Sequence, residues 1–290
     1  MKDLGKLSWF LGIEFKCENG SIEMNQTKYL EKVLKRFKME DCKPRATPCD
    51  VGSNNIQSDD SKELGDALLY REIVGSLIYC MSITRPDLCY VVTKLSQHMV
   101  NPTKAHLGMA KQVLRYIKGT LDYGLKFQKS DVPLELSGYA DADWGASEDR
   151  KSITGYAFQL AEGGPLVSYK SRKQQSVALS TCEAEYMALS AATQEVKFLS
   201  QLLTDMTGKE QTKGVVLFVD NQGAIALAKN PVHHQRSKHI DIRYHFVRDE
   251  VQNGFVILEY VPTEENVADV FTKPVGKPRL GKFKKALMGM

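Results

Sequence analysis

The hydrophobic period of this chain changes once, near Ser130, and the change divides it into two differently built parts. Over residues 67–127 the apolar positions fall at helical spacing. Leu69, Ile73 and Leu77 form one stripe, the stretch 91–99 follows the start signal Arg85-Pro86-Asp87, and Ala110, Val113, Leu114 and Ile117 end before Gly119. Beyond Ser130, short apolar runs at 134–139, 153–160, 166–171, 215–219 and 255–261 predict strands, with helices starting near Ser180, Gly223 and Arg236. The first three strands read as consecutive and antiparallel. The continuous run 215–219 reads as a central strand covered on both faces.

Ahead of the helical stretch, the apolar residues 7–15, the turn dipeptide Asn19-Gly20 and the alternating 21–25 predict a β-hairpin. Two strands are not stable alone, and nothing before them supplies a partner sheet. Leu30, Val33, Leu34 and Phe37 then mark an amphipathic helix with lysines on its other faces. Residues 50–62 are polar and read as a mobile connector.

The chain has 290 residues, 42% hydrophobic and 26% charged, which is enough for two cores. A formal charge of +4 is mild, so any case for nucleic acid has to come from where the basic groups sit. The six cysteines show no C-x-x-C pair, which predicts reduced thiols and no zinc site. His233, His234, His239 and His245 match no usual zinc spacing either. No apolar run approaches membrane-spanning length and no leader is evident, so the expectation is an intracellular, soluble protein with no membrane partner.

Chemistry enters through carboxylates at the ends of elements. Strand side chains alternate, so Asp141 and Asp143 project the same way, and a solvated strand end or a metal site would both accommodate them. Ser180-Thr181-Cys182-Glu183 fits a capping box in which Glu183 reaches back to the N-cap amide. Glu185 has no such task. It lies beside the stripe Ala184, Met187, Ala188 and Ala191 that should face the sheet, where a carboxylate is costly unless it is paired or bound to a metal. Asp220 ends the run 215–219, where open sheets place ligands, although taken alone it reads first as a cap for the next helix. Thr263 is predicted to cap a further helix, with Asp269 about two turns in. Asp141, Glu185, Asp220 and Asp269 thus sit on a strand, a helix, a strand and a helix.

Five motifs in fixed order carry a resemblance that covers nearly the whole chain: residues 139–144 (Tyr-Ala-Asp-Ala-Asp-Trp), 180–186 (Ser-Thr-Cys-Glu-Ala-Glu-Tyr), 219–222 (Val-Asp-Asn-Gln), 238–245 (Lys-His-Ile-Asp-Ile-Arg-Tyr-His) and 266–273 (Asn-Val-Ala-Asp-Val-Phe-Thr-Lys). The chain resembles the C-terminal part of a copia-type LTR retrotransposon Pol polyprotein. The implied fold is α/β: a ribonuclease H-like mixed five-stranded sheet with flanking helices, preceded by a mostly helical thumb/connection region and a palm-end β-hairpin. The implied domains are 1–26, the incomplete end of the reverse transcriptase palm; 27–130, the thumb/connection region; and 131–290, the ribonuclease H domain.

The resemblance further implies hydrolysis of the RNA strand of RNA:DNA hybrids. Asp141, Glu185, Asp220 and Asp269 would act as the catalytic carboxylates and hold two Mg²⁺ ions, with Mn²⁺ as a substitute. Asp143 would be a neighbour of the site. Arg236, His239 and Arg243, at i, i+3 and i+7 of one helix, form a polar edge suited to phosphates. Residues 261–267 depart from some cellular ribonucleases H in having no histidine before the last carboxylate. The polymerase motif Tyr-x-Asp-Asp occurs nowhere in the chain, so polymerisation is not expected, and upstream Pol domains are the expected partners. Two other readings stand beside this one. The chain could be a catalytically inactive nucleic-acid-binding remnant of such a polyprotein. It could also be an integrase-like enzyme, which the order of the carboxylates disfavours.

Overall fold

The computed structural model describes residues 5–52, 63–129, 133–147, 149–209, 213–229 and 238–290, with 238–244 described by backbone alone. Two compact units emerge. The first comprises Met1–Pro133, Gly163–Leu166 and Pro274–Met290, and the second Leu134–Glu162 and Val167–Lys273.

In the first unit the hairpin finds its partner sheet downstream rather than upstream. Strands β1 (Trp9–Phe10), β2 (Ile13–Glu18) and β3 (Ser21–Asn25) are extended by β4 (Gly124–Gln128), in a stretch where the sequence predicts only helix. The register runs from Ser21 opposite Gln128 to Asn25 opposite Gly124. Only glycine fits at 124, because a Cβ there would collide with the Met24 carbonyl oxygen. Helix α1 (Thr27–Arg36) buries Leu30, Val33 and Leu34 as its stripe requires. Helices α2 (Ala67–Ile83), α3 (Cys89–Ser96) and α4 (Lys104–Lys118) follow. The start signal Arg85-Pro86-Asp87 does open a short 3₁₀ turn ahead of α3, and it also holds a wholly buried ion pair. Arg85 Nε and Nη2 donate to the two Asp87 carboxylate oxygens at 3.0 and 2.8 Å, and Nη2 also donates to Thr120 Oγ1 at 2.7 Å. The last helix, α8 (Lys277–Met288), packs against β4 and this turn, so it groups with the first unit although the sequence reading assigns it to the second domain.

In the second unit β5 (Ser137–Asp143), β6 (Ile153–Gln159), β7 (Leu166–Lys173), β8 (Val215–Val219) and β9 (Val256–Tyr260) form one sheet in the order β7-β6-β5-β8-β9. β5 is antiparallel to β6 and parallel to β8, and β8 is parallel to β9. With α5 (Thr181–Thr207), α6 (Gln222–Lys229) and α7 (Lys238–Gln252) flanking it, this is the ribonuclease H-like mixed five-stranded sheet expected from the sequence. The core joins Ala140 and Phe158 of the sheet to Tyr186, Leu189 and Val196 of α5 and to Leu217 and Val219 of β8. Burying the Phe, Leu and Val side chains among them contributes roughly 1.5–3 kcal/mol each. β8 is less enclosed than predicted: Val215, Leu217 and Val219 are buried, whereas Val216 and Phe218 are half-buried, with Phe218 stacked on Tyr139 at 5.0 Å.

Two local features bring the end of the second unit onto β5. Asn266, not Thr263, caps the final turn, and that turn is a 3₁₀ helix (Val267–Phe271) rather than an α-helix. The Asn266 side chain is buried; it accepts from the Ala268 N–H and donates to the Ala140 carbonyl, both at 3.1 Å. Gly155 lies opposite Asp141 in the β5–β6 register. A Cβ there would come within 2.7 Å of Thr272 and 2.9 Å of Phe271, so only a glycine lets the turn rest on the sheet at this point.

Candidate metal centre

β5 alternates as a strand must: Ala140 enters the core, while Tyr139 and Asp141 face the other way. The Asp141 carboxylate is buried and accepts the Thr272 hydroxyl. Glu185 arrives from the first turns of α5. Ser180 caps that helix, accepting from the Glu183 N–H at 3.1 Å, and Glu183 reaches back to the Leu179 N–H at 2.8 Å, one residue earlier than a strict capping box. Glu183 is thereby occupied and Glu185 is not. Gln174, also buried, donates to the Ala184 carbonyl and to Thr154 Oγ1, pinning the backbone next to Glu185 onto β6. The alternative for Asp220 fails for a specific reason: Asn221 Oδ1 accepts the Ala224 N–H at 3.0 Å and so caps α6 in its place. Asp220 stands half-buried at the end of β8.

One carboxylate oxygen from each of Asp141, Glu185 and Asp220 lies within 4.8 Å of the others. Burial raises the pKa of Asp141 first of all, and repulsion from Asp269 and Asp220 raises it further, against a lowering by the Thr272 hydroxyl and Lys273. Burial likewise pushes Glu185 up, followed by repulsion from Asp141 and Asp220; the Ala142 N–H bonded to its carboxylate and the Lys273 charge oppose this. Glu185 Oε2 is buried without a hydrogen-bond partner among the described residues. Closely spaced hard oxygens, one of them unsatisfied, fit a divalent cation such as Mg²⁺.

Asp269 lies outside the 4.8 Å trio but borders it: it is fully buried in the 3₁₀ turn, and its charge acts on Asp141. It forms an ion pair with Lys273. Asp143 is half-buried on the same strand and does not join the trio. Of the expected phosphate contacts, Arg236 lies outside the described residues, and His239 and Arg243 lie in α7 with their side chains outside them. Sequence reasoning gave no role to Asn266, Thr272, Lys273 or Gln174. The i, i+4 spacing of Asp269 and Lys273 was an available signal; the long-range bonds of Asn266 and Gln174 had none.

Residues 1–51 match the family described as reverse transcriptase (RNA-dependent DNA polymerase). The chain is 39% identical, over 98% of its length, to the retrovirus-related Pol polyprotein from transposon RE1 of Arabidopsis thaliana, covering 19% of that protein. It is 41% identical, over 100% of its length, to the corresponding polyprotein from transposon TNT 1-94 of Nicotiana tabacum, covering 22%. The chain therefore spans about a fifth of the length of these curated relatives. Among solved structures it is similar to the N-terminal RNase H domain of Rv2228c from Mycobacterium tuberculosis, with 14% identity, a TM-score of 0.36, and coverage of 48% of this chain and 91% of that one.

Proposed function

This chain belongs to the copia-type LTR retrotransposon Pol polyprotein family, and we propose that its second unit hydrolyses the RNA strand of RNA:DNA hybrids with the help of divalent metal ions. One observation carries the proposal: three carboxylates from three separate elements converge within 4.8 Å. Such a cluster is costly unless protons or cations neutralise it, and carboxylate oxygens match Mg²⁺ or Mn²⁺. Two such ions, when bound, supply charge stabilisation to the oxygens that become negative during in-line attack on a phosphodiester.

The chain's own residues do the rest. Asp141, Glu185, Asp220 and Asp269 hold the ions. Thr272 and the Ala142 N–H orient Asp141 and Glu185 through the hydrogen bonds they donate. Asp220, the half-buried member, reaches toward solvent and hence toward the substrate. Arg236, His239 and Arg243 contact phosphates and position the hybrid, and 2′-hydroxyl contacts across the wide minor groove single out the RNA strand. In the same proposal the first unit is the end of a reverse transcriptase with its thumb and connection.

The test is cleavage of an end-labelled RNA:DNA hybrid with and without Mg²⁺. Asp220→Asn is expected to slow Mg²⁺-dependent cleavage roughly a hundredfold or more; full activity in that variant refutes the assignment. A folded wild type that binds hybrid without cutting it supports the inactive remnant instead.

A further inference from the structure

Among the described residues, Lys273 is a cationic side chain beside the cluster that the proposed reaction leaves without a task. Three observations bear on it. Its ammonium forms an ion pair with Asp269 Oδ1, four residues earlier on the same turn. Its side chain is 35% exposed whereas that of Asp269 is 0% exposed, so a solvated stem carries a positive charge to a carboxylate that water does not reach. Its placement is built in: the Lys273 N–H donates to the Asp269 carbonyl at 3.3 Å, and Pro274, next in the chain, restricts the lysine backbone. The neighbouring Thr272 is bound to Asp141, so one dipeptide serves two carboxylates. The Lys273 charge is also felt at Asp141 and Glu185.

Charge counting gives the cluster a conflict. Four carboxylates match two divalent ions, and an ammonium added to that set is one positive charge in excess. A cation cannot approach the Asp269 oxygen that holds the ammonium without displacing it or being repelled by it. We propose that Lys273 is a displaceable internal counter-ion, which neutralises Asp269 and competes with a divalent metal ion for that carboxylate. This inference rests on the metal-centre reading above. In it Lys273 is a positioning residue: it keeps the buried aspartate compatible with the fold, and it sets a threshold that the metal must overcome.

The experiment is calorimetric titration of Mg²⁺ into the full chain as wild type, Lys273→Met, Lys273→Arg and the Asp269→Asn/Lys273→Met double variant, alongside thermal melts in EDTA. Lys273→Met is expected to bind Mg²⁺ about fivefold tighter or more and to melt lower in EDTA, while Lys273→Arg stays near wild type. Asp269→Asn should remove the gain in affinity, since the contested carboxylate is then gone. Equal or weaker Mg²⁺ binding by a folded Lys273→Met chain overturns the inference while leaving the metal centre intact. A folded wild type that binds no Mg²⁺ overturns both. Should Lys273→Met not fold, a Mg²⁺-loaded crystal structure of the wild type decides: the ammonium has left Asp269 if the inference holds, and remains on it beside bound ions if it does not.

Discussion

Replacing Glu185 with glutamine is expected to make the chain more stable and the metal centre useless at the same time. Glu185 faces both Asp141 and Asp220, with one oxygen of each within 4.8 Å of the others. At an effective dielectric of about 20, two full charges at that separation repel by about 3.5 kcal/mol, so the two pairs that Glu185 makes amount to about 7 kcal/mol when all three are ionised. Proton uptake relieves most of this, and the raised pKa values of Asp141 and Glu185 are its signature. A cost of several kcal/mol is expected to remain at pH 8, because folding there must bind a proton that the unfolded chain has already released. Glutamine keeps an acceptor for the Ala142 N–H and conserves volume, so packing should change little. The assay is thermal unfolding followed by circular dichroism at pH 8, in EDTA and in Mg²⁺. In EDTA the Glu185→Gln chain should melt higher than wild type by roughly 5 °C or more. In Mg²⁺ the wild type should gain further stability by mass action, and the variant should gain little. A variant that melts lower in EDTA, or that keeps the full Mg²⁺ increment, would refute the reasoning, because the carboxylate would then be stabilising the fold by itself.

Two further predictions follow from the same geometry. Asp141 and Glu185 have folded-state pKa values raised above those of the unfolded chain, to about 7 and about 10, so the unfolded state releases their protons first as pH rises; in EDTA, stability should fall from about pH 4 upward, with the Asp141 share ending near pH 7 and the Glu185 share near pH 10, and saturating Mg²⁺ should flatten the slope. A melting temperature that rises with pH over that range in EDTA would contradict this. Asn266→Ala removes the cap of the 3₁₀ turn and leaves the buried Ala140 carbonyl without that donor; it should cost about 2–3 kcal/mol in urea unfolding of the second unit, and a loss below about 0.5 kcal/mol would mean that the turn does not depend on this side chain.

The site was legible in the sequence to the extent that local rules could locate it. Asp141 follows from strand alternation, and Glu185 from the fact that Glu183 is already spent on the helix cap. Local rules alone favour a cap at Asp220 and only the motif makes it a ligand; Asn221 is the residue that caps the helix. Asp269 needed the motif as well, because its turn is short and 3₁₀, with too few residues to show a period. The unread features depend on distant partners. β4 is five residues long, and only its pairing with β3 across about a hundred residues of chain makes it a strand. Gly155 looks like an ordinary strand glycine until the turn carrying Asp269 rests on it. Asn266 and Gln174 are polar residues in loops whose bonds reach 126 and 10 residues away. The buried Arg85–Asp87 pair looks like a helix start because Pro86 between them makes it one.

The assignment of α8 to the first unit has a consequence for how the chain is made. Domains usually finish folding in the order in which they leave the ribosome. Here the first unit is interrupted by the second and is completed only by Pro274–Met290, which follows the whole of the second unit in the chain. β3 must already wait for β4 before its free edge is paired, and the turn at Pro86–Leu88 waits longer still for α8. The second unit, whose residues all lie between Leu134 and Lys273, has everything it needs before that helix emerges. The unit carrying the carboxylates can therefore mature first, while the unit that precedes it in sequence stays incomplete until that helix has been made.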